Sequence, residues 1–333
     1  MTEKSFVPKY ETVVEFIKNQ IHSGVYRVGE LIPGERIIAE TLSVSRPSIK
    51  RAIKELESAG IIECLPSQGS VVRKVPESKL IVGYLIDDLQ DPFHMELIRE
   101  LDFLLHEING GLIVAQGRED TRLLSMGINR LVKHHTLFNE SVSEKVMTVY
   151  IGNLPAKVNM VVSDIKSGME MIYNHLKSLG HERIAYASPM QKKYDIQYPY
   201  LFEALKKDKN KLVAHFPIGP HEEQQCESIL KKIKNLKNRP TALVCYNDWL
   251  AISFIEAAKA MRLDIPGELS LTGYDDLYMS SVLQVALTTI RFSRSETARK
   301  IIDILLKPSG TNEPRIETVE TNLIVRESTA RIK

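Results

Sequence analysis

The chain has 333 residues, of which 43% are hydrophobic and 26% charged, a composition typical of a soluble globular protein with two or three domains. The formal net charge of +2 does not identify a partner, and three scattered cysteines without a CxxC pair favour neither a disulfide framework nor a zinc site. Because there is no apolar run of about 18 residues and no signal-peptide core, we expect a cytoplasmic protein without membrane segments.

The first part of the chain shows the pattern of three helices followed by a hairpin. Apolar periodicity, Gly24 and a possible N-cap at Ser45 predict helices over 8–24, 35–42 and 46–59. The segment "IIECLPSQGSVVRK" then indicates two short strands around a turn. This order predicts a winged helix-turn-helix domain over residues 1–74, with a polar linker over residues 75–79.

The third helix carries four basic and no acidic side chains between Arg46 and Lys54. In a helix-turn-helix the second motif helix lies in the major groove, with its first residues nearest the bases. We predict Pro47 at the first helical position, where a proline costs little, with Arg46 held at the mouth of the groove. A basic cluster is more often a solvated surface, but its position before a wing favours DNA binding.

Four motifs carry a resemblance: "GVYRVGELIP", "ERIIA", "VSRPSIKRAIKEL" and "GII…QGSVV". With them, the domain resembles the DNA-binding domain of the GntR family of bacterial regulators. The resemblance implies DNA contacts from the first motif helix, the start of the recognition helix and the wing, through Arg36, Ser45, Arg46, Ser48, Lys50, Gln68 and Gly69. Gly34 and Pro47 stand where Ser and Thr or Ser are frequent, which implies a different sequence preference.

Beyond residue 80, strand-like apolar runs alternate with helical segments. One predicted helix follows "GLIVAQ" and extends to about Lys133. Repeated βα units predict parallel sheets covered on both faces, so the fold class is α/β behind a winged helix. This part is too long for one compact sheet, and we expect two lobes within residues 80–333. Lobe 1 is expected over about 80–153 and 291–308, and lobe 2 over about 156–288 and 315–330.

Further motifs in this part are "IVGYLIDDLQDPFHMELIRELD", "LGHERIAY", "NDWLA" and "IPGELSLTGYDDL…LTTI". They resemble the LacI-type, periplasmic-binding-protein-like effector domain, as in arabinose-repressor-like hybrids. That family generally has one further βα unit, with a "DGII"-like strand, between "DPF" and "VMTVYIG". We therefore expect either that the first lobe is shorter than in that family or that the sequence omits a disordered segment of it.

Candidate ligand-binding residues follow the predicted strands. Ligands of open α/β sheets bind outside the carboxyl ends of the strands, where Asp164, Asn247 and Asp275 follow "MVVS", "LVCY" and "LTGY". Carboxylates and amides match the alternating donors and acceptors of a sugar. Phe93 offers an apolar ring face or packs in the core. Asp164 either binds ligand or caps the helix that follows it.

The LacI-type resemblance also concerns Gln197. That family usually has an arginine two residues before an "xGF" segment, where this chain has Gln197 in "IQYPYLFEAL". Without that cation a carboxylate effector is disfavoured and a neutral sugar stays plausible, so we count Gln197 among the ligand-binding residues. We interpret Asp248 as a helix cap at least as readily as a ligand, and Trp249 as a packing residue.

These features predict a sugar-responsive transcriptional repressor that binds double-stranded operator DNA as a homodimer and is released by a monosaccharide such as a pentose. We predict no cofactor, no metal site and no catalytic residues. The histidines lack metal-ligand spacing, and no G-x-S-x-G elbow, P-loop or G-x-G-x-x-G occurs. The alternatives are a carbohydrate-processing enzyme with a DNA-binding head, and a regulator that senses a nucleoside or a protein co-repressor.

Overall fold

A computed structural model describes residues 9–22, 24–74, 79–139, 146–152, 154, 156–189, 195–207, 211–219, 222–306 and 313–332. The chain divides into two compact units, Met1–Lys79 (unit 1) and Leu80–Lys333 (unit 2). None of the helices in the described ranges is both long and apolar enough to cross a membrane.

Unit 1 is a three-helix domain with a hairpin. Its elements are α1 (Lys9–His22), α2 (Glu35–Leu42), α3 (Arg46–Ser58), β1 (Ile62–Leu65) and β2 (Gly69–Val72). The two strands pair antiparallel. Ile49, Ile53 and Leu56 of α3 are buried in one cluster with Ile17 of α1, so this face of α3 forms the core. The predicted winged helix-turn-helix layout is confirmed.

The position of Pro47 differs by one residue from the prediction. Helix α3 begins at Arg46, with Ser45 as its N-cap, so Pro47 is the second helical residue. The N–H groups of the first turn have no intrahelical acceptor, so a proline is tolerated there as well. Arg46 therefore belongs to the helix, and its side chain is exposed.

The first sheet of unit 2 has six parallel strands in the order β13-β7-β6-β5-β3-β4. The strands are β3 (Ile81–Ile86), β4 (Gly111–Gln116), β5 (Arg130–His134), β6 (Met147–Ile151), β7 (Asn159–Ser163) and β13 (Ile316–Val319). The helices of this lobe are α4 (Pro92–Glu107), α5 (Asp120–Ser125) and α11 (Arg294–Leu305), and a short 3-10 helix spans His135–Leu137.

The second sheet has four parallel strands in the order β11-β10-β8-β9. The strands are β8 (Arg183–Pro189), β9 (Lys211–Ile218), β10 (Ala242–Cys245) and β11 (Ser270–Thr272). The helices are α6 (Ile165–Ser178), α7 (Tyr198–Lys207), α8 (Glu222–Asn235), α9 (Asp248–Ala260) and α10 (Tyr278–Val282). A separate antiparallel pair joins β12 (Thr289–Phe292) to β14 (Thr321–Ile324). The predicted α/β class with parallel sheets is confirmed.

The predicted helix extending to about Lys133 is wrong in its second half. Helix α5 ends at Ser125, and β5 lies between β3 and β6 in the sheet. Leu131 and Val132 are both buried, because the strand has a covered face on each side. Strand β5 thus supplies a strand in the region where one was expected to be missing. Residues 140–145 of the connection to β6 lie outside the described residues.

The expected lobe boundaries also need correction. Strands β7 and β13 were placed in lobe 2, but they pair with each other and with β6 in the first sheet. The main-chain pairing of a strand determines the lobe to which it belongs. Segment lengths and the alternation of strands and helices along the sequence do not reveal this pairing. The chain therefore passes from the first sheet toward the second immediately after Ser163 and Val319.

Candidate DNA interface and ligand cavity

Unit 1 presents a basic helix face. Arg46, Lys50 and Lys54 recur every four residues on α3, so they lie on one side of the helix, and all three are exposed. The buried Ile49 and Ile53 occupy another face. The core therefore holds α3 with its cationic side turned to solvent.

Not every cation of unit 1 is equally available. The guanidinium of Arg51 lies over the ring of Tyr10, 3.7 Å from its centroid, and so packs α3 against α1. Arg36, at the start of α2, is exposed and has a long ion pair of 3.9 Å with Glu40. Such an exposed pair contributes little and leaves the guanidinium free to bind another anion.

The remaining predicted DNA contacts lie at the start of α3 and at the wing. The hydroxyls of Ser45 and Ser48 are 2.9 Å apart, and Ser45 makes no side-chain cap bond. In the wing, the N–H of Gln68 donates to the carbonyl of Leu65 at 3.1 Å, and Gly69 has φ of 115°. This turn leaves the Gln68 side chain exposed.

Unit 2 contains a cavity of about 310 Å³ at the carboxyl ends of strands from both sheets. Phe93, Gln197, Asn247 and Asp275, four of the five predicted ligand-binding residues, line it. Other lining side chains include Asp87, Asp91, His134, His135, Thr136, Ser163, Tyr246, Tyr274 and Phe292. The volume is at the small end of the range for ligand pockets, which suits a small polar molecule.

Asp164 does not line the cavity. It is the N-cap of α6, and its carboxylate accepts from the N–H of Ser167 at 3.1 Å and from the hydroxyl of Ser167 at 2.7 Å. Of the two roles considered for Asp164, these contacts correspond to the cap.

Asn247 both caps a helix and faces the cavity. It is the N-cap of α9, and its Oδ1 accepts from the N–H of Leu250 at 2.9 Å. This bond orients the side chain and leaves the amide NH₂ as a donor for a ligand. The cap role that we considered for Asp248, beside ligand binding, is therefore wrong, because Asn247 is the N-cap.

Asp248 is instead a buried anchor for the loop that carries Asp275. Its carboxylate accepts from the N–H of Leu277 at 2.9 Å and from the hydroxyls of Ser280 and Thr289, each at 2.5 Å. These bonds join the start of α9 to the segment after β11 and to β12. The side chain thereby fixes one wall of the cavity, although Asp248 itself does not line it.

Asp275 lies in a constrained backbone conformation, with φ of 118°, and its N–H donates to the carbonyl of Ile290 at 2.9 Å. Burial raises the pKa of its carboxyl well above the usual range, although the charge of Arg294 opposes this shift. A carboxyl group that keeps its proton can both donate and accept hydrogen bonds. That property suits the hydroxyl groups of a polyol.

Arg294 contacts the backbone of Asp275 but does not line the cavity. The guanidinium of Arg294 stacks over Phe93 and Phe292, at 4.5 and 4.8 Å, and donates to the backbone carbonyl of Asp275 at 2.7 Å. It also forms an ion pair of 3.4 Å with Glu96. Within the described ranges, the residues lining the cavity include no lysine and no arginine.

Gln197 contributes an unused acceptor. Its Oε1 is buried and has no hydrogen-bond partner among the described residues. A buried amide oxygen without a donor is costly, so a ligand hydroxyl at this point would be stabilising.

Sequence reasoning missed a polar group on the first-sheet wall. The hydroxyl of Thr136 donates to Oδ2 of Asp87 at 2.8 Å and lies 2.7 Å from Nδ1 of His134. Burial raises the pKa of Asp87, but hydrogen bonds from His134 and Thr136 and the charge of His134 outweigh this effect and hold the pKa below its usual range. Asp87 directly follows β3, so the strand-end rule could have identified it, whereas His134 required knowledge of β5.

Two family models match the chain. Residues 9–72 match the bacterial regulatory proteins of the gntR family, and residues 173–329 match the periplasmic binding protein-like domain. The arabinose metabolism transcriptional repressor of Geobacillus stearothermophilus is 24% identical, and the match covers 100% of this chain and 100% of that protein. The transcriptional regulator GalR of Escherichia coli is 22% identical over 74% of this chain and 77% of that protein.

Solved structures resemble unit 2. A LacI family transcriptional regulator from Enterococcus faecium with bound ribose superimposes with a TM-score of 0.69 at 20% identity, covering 76% of this chain and 100% of that chain. The lac repressor dimer bound to operator and an anti-inducer gives 0.67 at 18% identity, covering 76% and 95%. The chain thus joins a segment that matches the gntR-family model to one that matches the periplasmic binding protein-like domain, and unit 2 shares the fold of these LacI-family structures.

Proposed function

We propose that the chain is a cytoplasmic transcriptional repressor that binds operator DNA through unit 1 and is released by a neutral monosaccharide, with arabinose as the first candidate. The observation that carries the ligand class is the lining of the cavity. It offers carboxyl groups of Asp87, Asp91 and Asp275 and amides of Gln197 and Asn247, without lysine or arginine among the described residues. Such groups match sugar hydroxyls and disfavour an anionic ligand.

The relatives support a regulator over the carbohydrate-processing enzyme. The arabinose metabolism repressors of Geobacillus stearothermophilus and Halalkalibacterium halodurans match at least 97% of their own length and of this chain. The likeness therefore includes the DNA-binding unit as well as the effector unit. Ribose, bound in the Enterococcus faecium regulator, is a second candidate of the same size.

A homodimer is part of the proposal. Unit 2 exposes large apolar side chains on two helices: Met95 and Phe103 on α4, and Tyr278 and Val282 on α10. Phe103 is 62% exposed and Tyr278 73%, so most of the surface of each side chain is available to another chain. A second copy of the chain would cover them, and two copies would place two basic helices on a palindromic site.

The test uses the full chain and a DNA site obtained by in vitro selection from a random library. We expect fluorescence anisotropy to show binding of that site and its release by a pentose but not by an unrelated neutral solute. Arabinose at 100 times its Kd should stabilise the protein by about 2.7 kcal/mol in a thermal-shift measurement. Failure of every monosaccharide to release the DNA would refute the ligand class.

Arg46→Ala tests the DNA-binding assignment separately. We expect it to weaken binding of the selected site by about 5–150-fold, corresponding to roughly 1–3 kcal/mol, with unchanged sugar affinity. Arg299→Ala, at an exposed position on α11, is the matched control and should bind DNA as the wild type does. Equal DNA affinity of the two variants would show that the basic face of α3 is not the interface.

A further inference from the structure

Three metal-ligating side chains converge on one wall of the cavity. Asp87 follows β3, His94 lies in the first turn of α4, and His134 ends β5. One ligand atom from each lies within 4.8 Å of the other two. We propose that Asp87, His94 and His134 form a binding site for a divalent transition-metal ion.

His94 gives the proposal its main support. Its side chain is completely buried, yet Nε2 has no hydrogen-bond partner in the described part of the chain. Leaving such an atom unpaired costs about 1–3 kcal/mol, and a buried orphan of this kind calls for an explanation. A metal ion that accepts the lone pair of a neutral imidazole provides one.

The surroundings of His94 match those of a metal-binding histidine. Its Nδ1 is 2.7 Å from the hydroxyl of Tyr84, which is itself buried. Metal-binding imidazoles generally use their second nitrogen in such a bond, which fixes the orientation of the ring. The ring of His134 lies 4.7 Å away at an interplanar angle of 84°.

The other two ligands are already associated. Nδ1 of His134 is 3.3 Å from Oδ1 of Asp87, and the hydroxyl of Thr136 contacts both side chains. This network brings an imidazole and a carboxylate together beside His94. A bound ion would replace the direct contact between His134 and Asp87, and Thr136 would continue to orient the carboxylate.

The donor set indicates the class of ion. Two imidazoles and one carboxylate suit Zn²⁺, Co²⁺ or Fe²⁺, whereas Ca²⁺ and Mg²⁺ prefer oxygen ligands throughout. Neighbouring ligand atoms of a tetrahedral zinc site are about 3.3 Å apart, so no pair of these ligand atoms would have to approach by more than about 1.5 Å on binding. Because Asp87 and His134 line the cavity, further coordination positions would face its interior.

Spacing along the chain could not reveal this site. We predicted no metal site because the histidines lack a local ligand pattern. The fold instead combines residues from three different elements, and one of them, β5, was predicted as a helix.

The experiment measures Zn²⁺ binding to the tag-free full chain by calorimetry, together with the visible absorption of Co²⁺, without sugar or DNA. We expect one ion per chain. His94→Gln and His134→Gln should weaken binding at least 100-fold, and Tyr84→Phe, which keeps all three ligands, about 10–100-fold. His106→Gln, at an exposed histidine near the end of α4, is the control and should bind as the wild type does.

Absence of Zn²⁺ binding, or retention of wild-type affinity in His94→Gln and His134→Gln, would overturn the metal site. Tryptophan fluorescence melts identify a variant that fails to fold, and His134→Gln, at the cavity wall, then decides the question. The DNA-release assay tests the proposed function independently, because no metal is added in that assay and no sugar is present in the Zn²⁺ titration.

Discussion

Replacement of Asp248 by alanine is the most direct test of how the cavity wall is held. The side chain is fully buried and accepts three hydrogen bonds, from the N–H of Leu277 and from the hydroxyls of Ser280 and Thr289. Removing the acceptor leaves three buried donors, each costing about 1–3 kcal/mol if unpaired. Relief of the desolvated carboxylate offsets part of this cost, so we expect a loss of about 3–5 kcal/mol in the free energy of unfolding.

Urea unfolding followed by tryptophan fluorescence measures this loss. Trp249 is the one tryptophan in the sequence, and it belongs to unit 2, so the signal does not report on unit 1. Asp303→Ala, at an exposed aspartate of α11, is the control and should change stability by less than about 0.5 kcal/mol. The anchoring role would be refuted if the free energy of unfolding of Asp248→Ala were within about 1 kcal/mol of the wild type, with an unchanged dependence on urea concentration.

Three further substitutions or conditions give distinct outcomes. Gly83→Ala in β3 would place a Cβ 2.8 Å from Cδ1 of Ile128, so urea unfolding should show a loss of about 1–3 kcal/mol in the free energy of unfolding. Gly111→Ala, where the nearest atom to the new Cβ is at 3.3 Å, should lose less stability. The reverse order of the two losses would contradict the packing described for β3. Asn247→Ala should weaken sugar binding in calorimetry at least about tenfold without changing DNA affinity; unaltered sugar binding would remove Asn247 from the site. Burial lowers the pKa of His181, so the unfolded chain takes up its proton first as the pH falls below about 6.5. Thermal stability should therefore decline from pH 7 to 5, and less steeply in His181→Gln; equal slopes would argue against this contribution.

Much of the fold follows from local patterns. Helix α2 has the predicted bounds, 35–42, because its apolar periodicity begins after a Pro-Gly pair and ends at a turn. Strand β5 shows where such patterns fail. Its residues follow α5 with helix-compatible spacing, and only the pairing with β3 and β6, which are distant in sequence, makes them a strand.

The candidate site was predictable to the extent that the strand ends were. Asn247 and Asp275 follow recognisable strands and line the cavity. Asp164 follows a strand equally closely, but its carboxylate accepts a hydrogen bond from the helix that it caps. Whether it caps the helix or faces the cavity depends on the rotation of the side chain, and its position in the sequence does not reveal this. His94 lay beyond the rule altogether, because its significance comes from an unpaired nitrogen that can be recognised only in three dimensions.

The pairing of β13 with β7 has a consequence for synthesis on the ribosome. The N–H of Arg315, beside β13, donates to the side chain of Asn159 in β7, 156 positions earlier. At about 5–20 residues per second, the free edge of β7 waits roughly 8–30 s for its partner. During that interval an unpaired strand edge is open to other chains, while unit 1 is already fully synthesised. Under the proposed function, the DNA-binding unit of each new chain would be complete before the unit that binds the sugar.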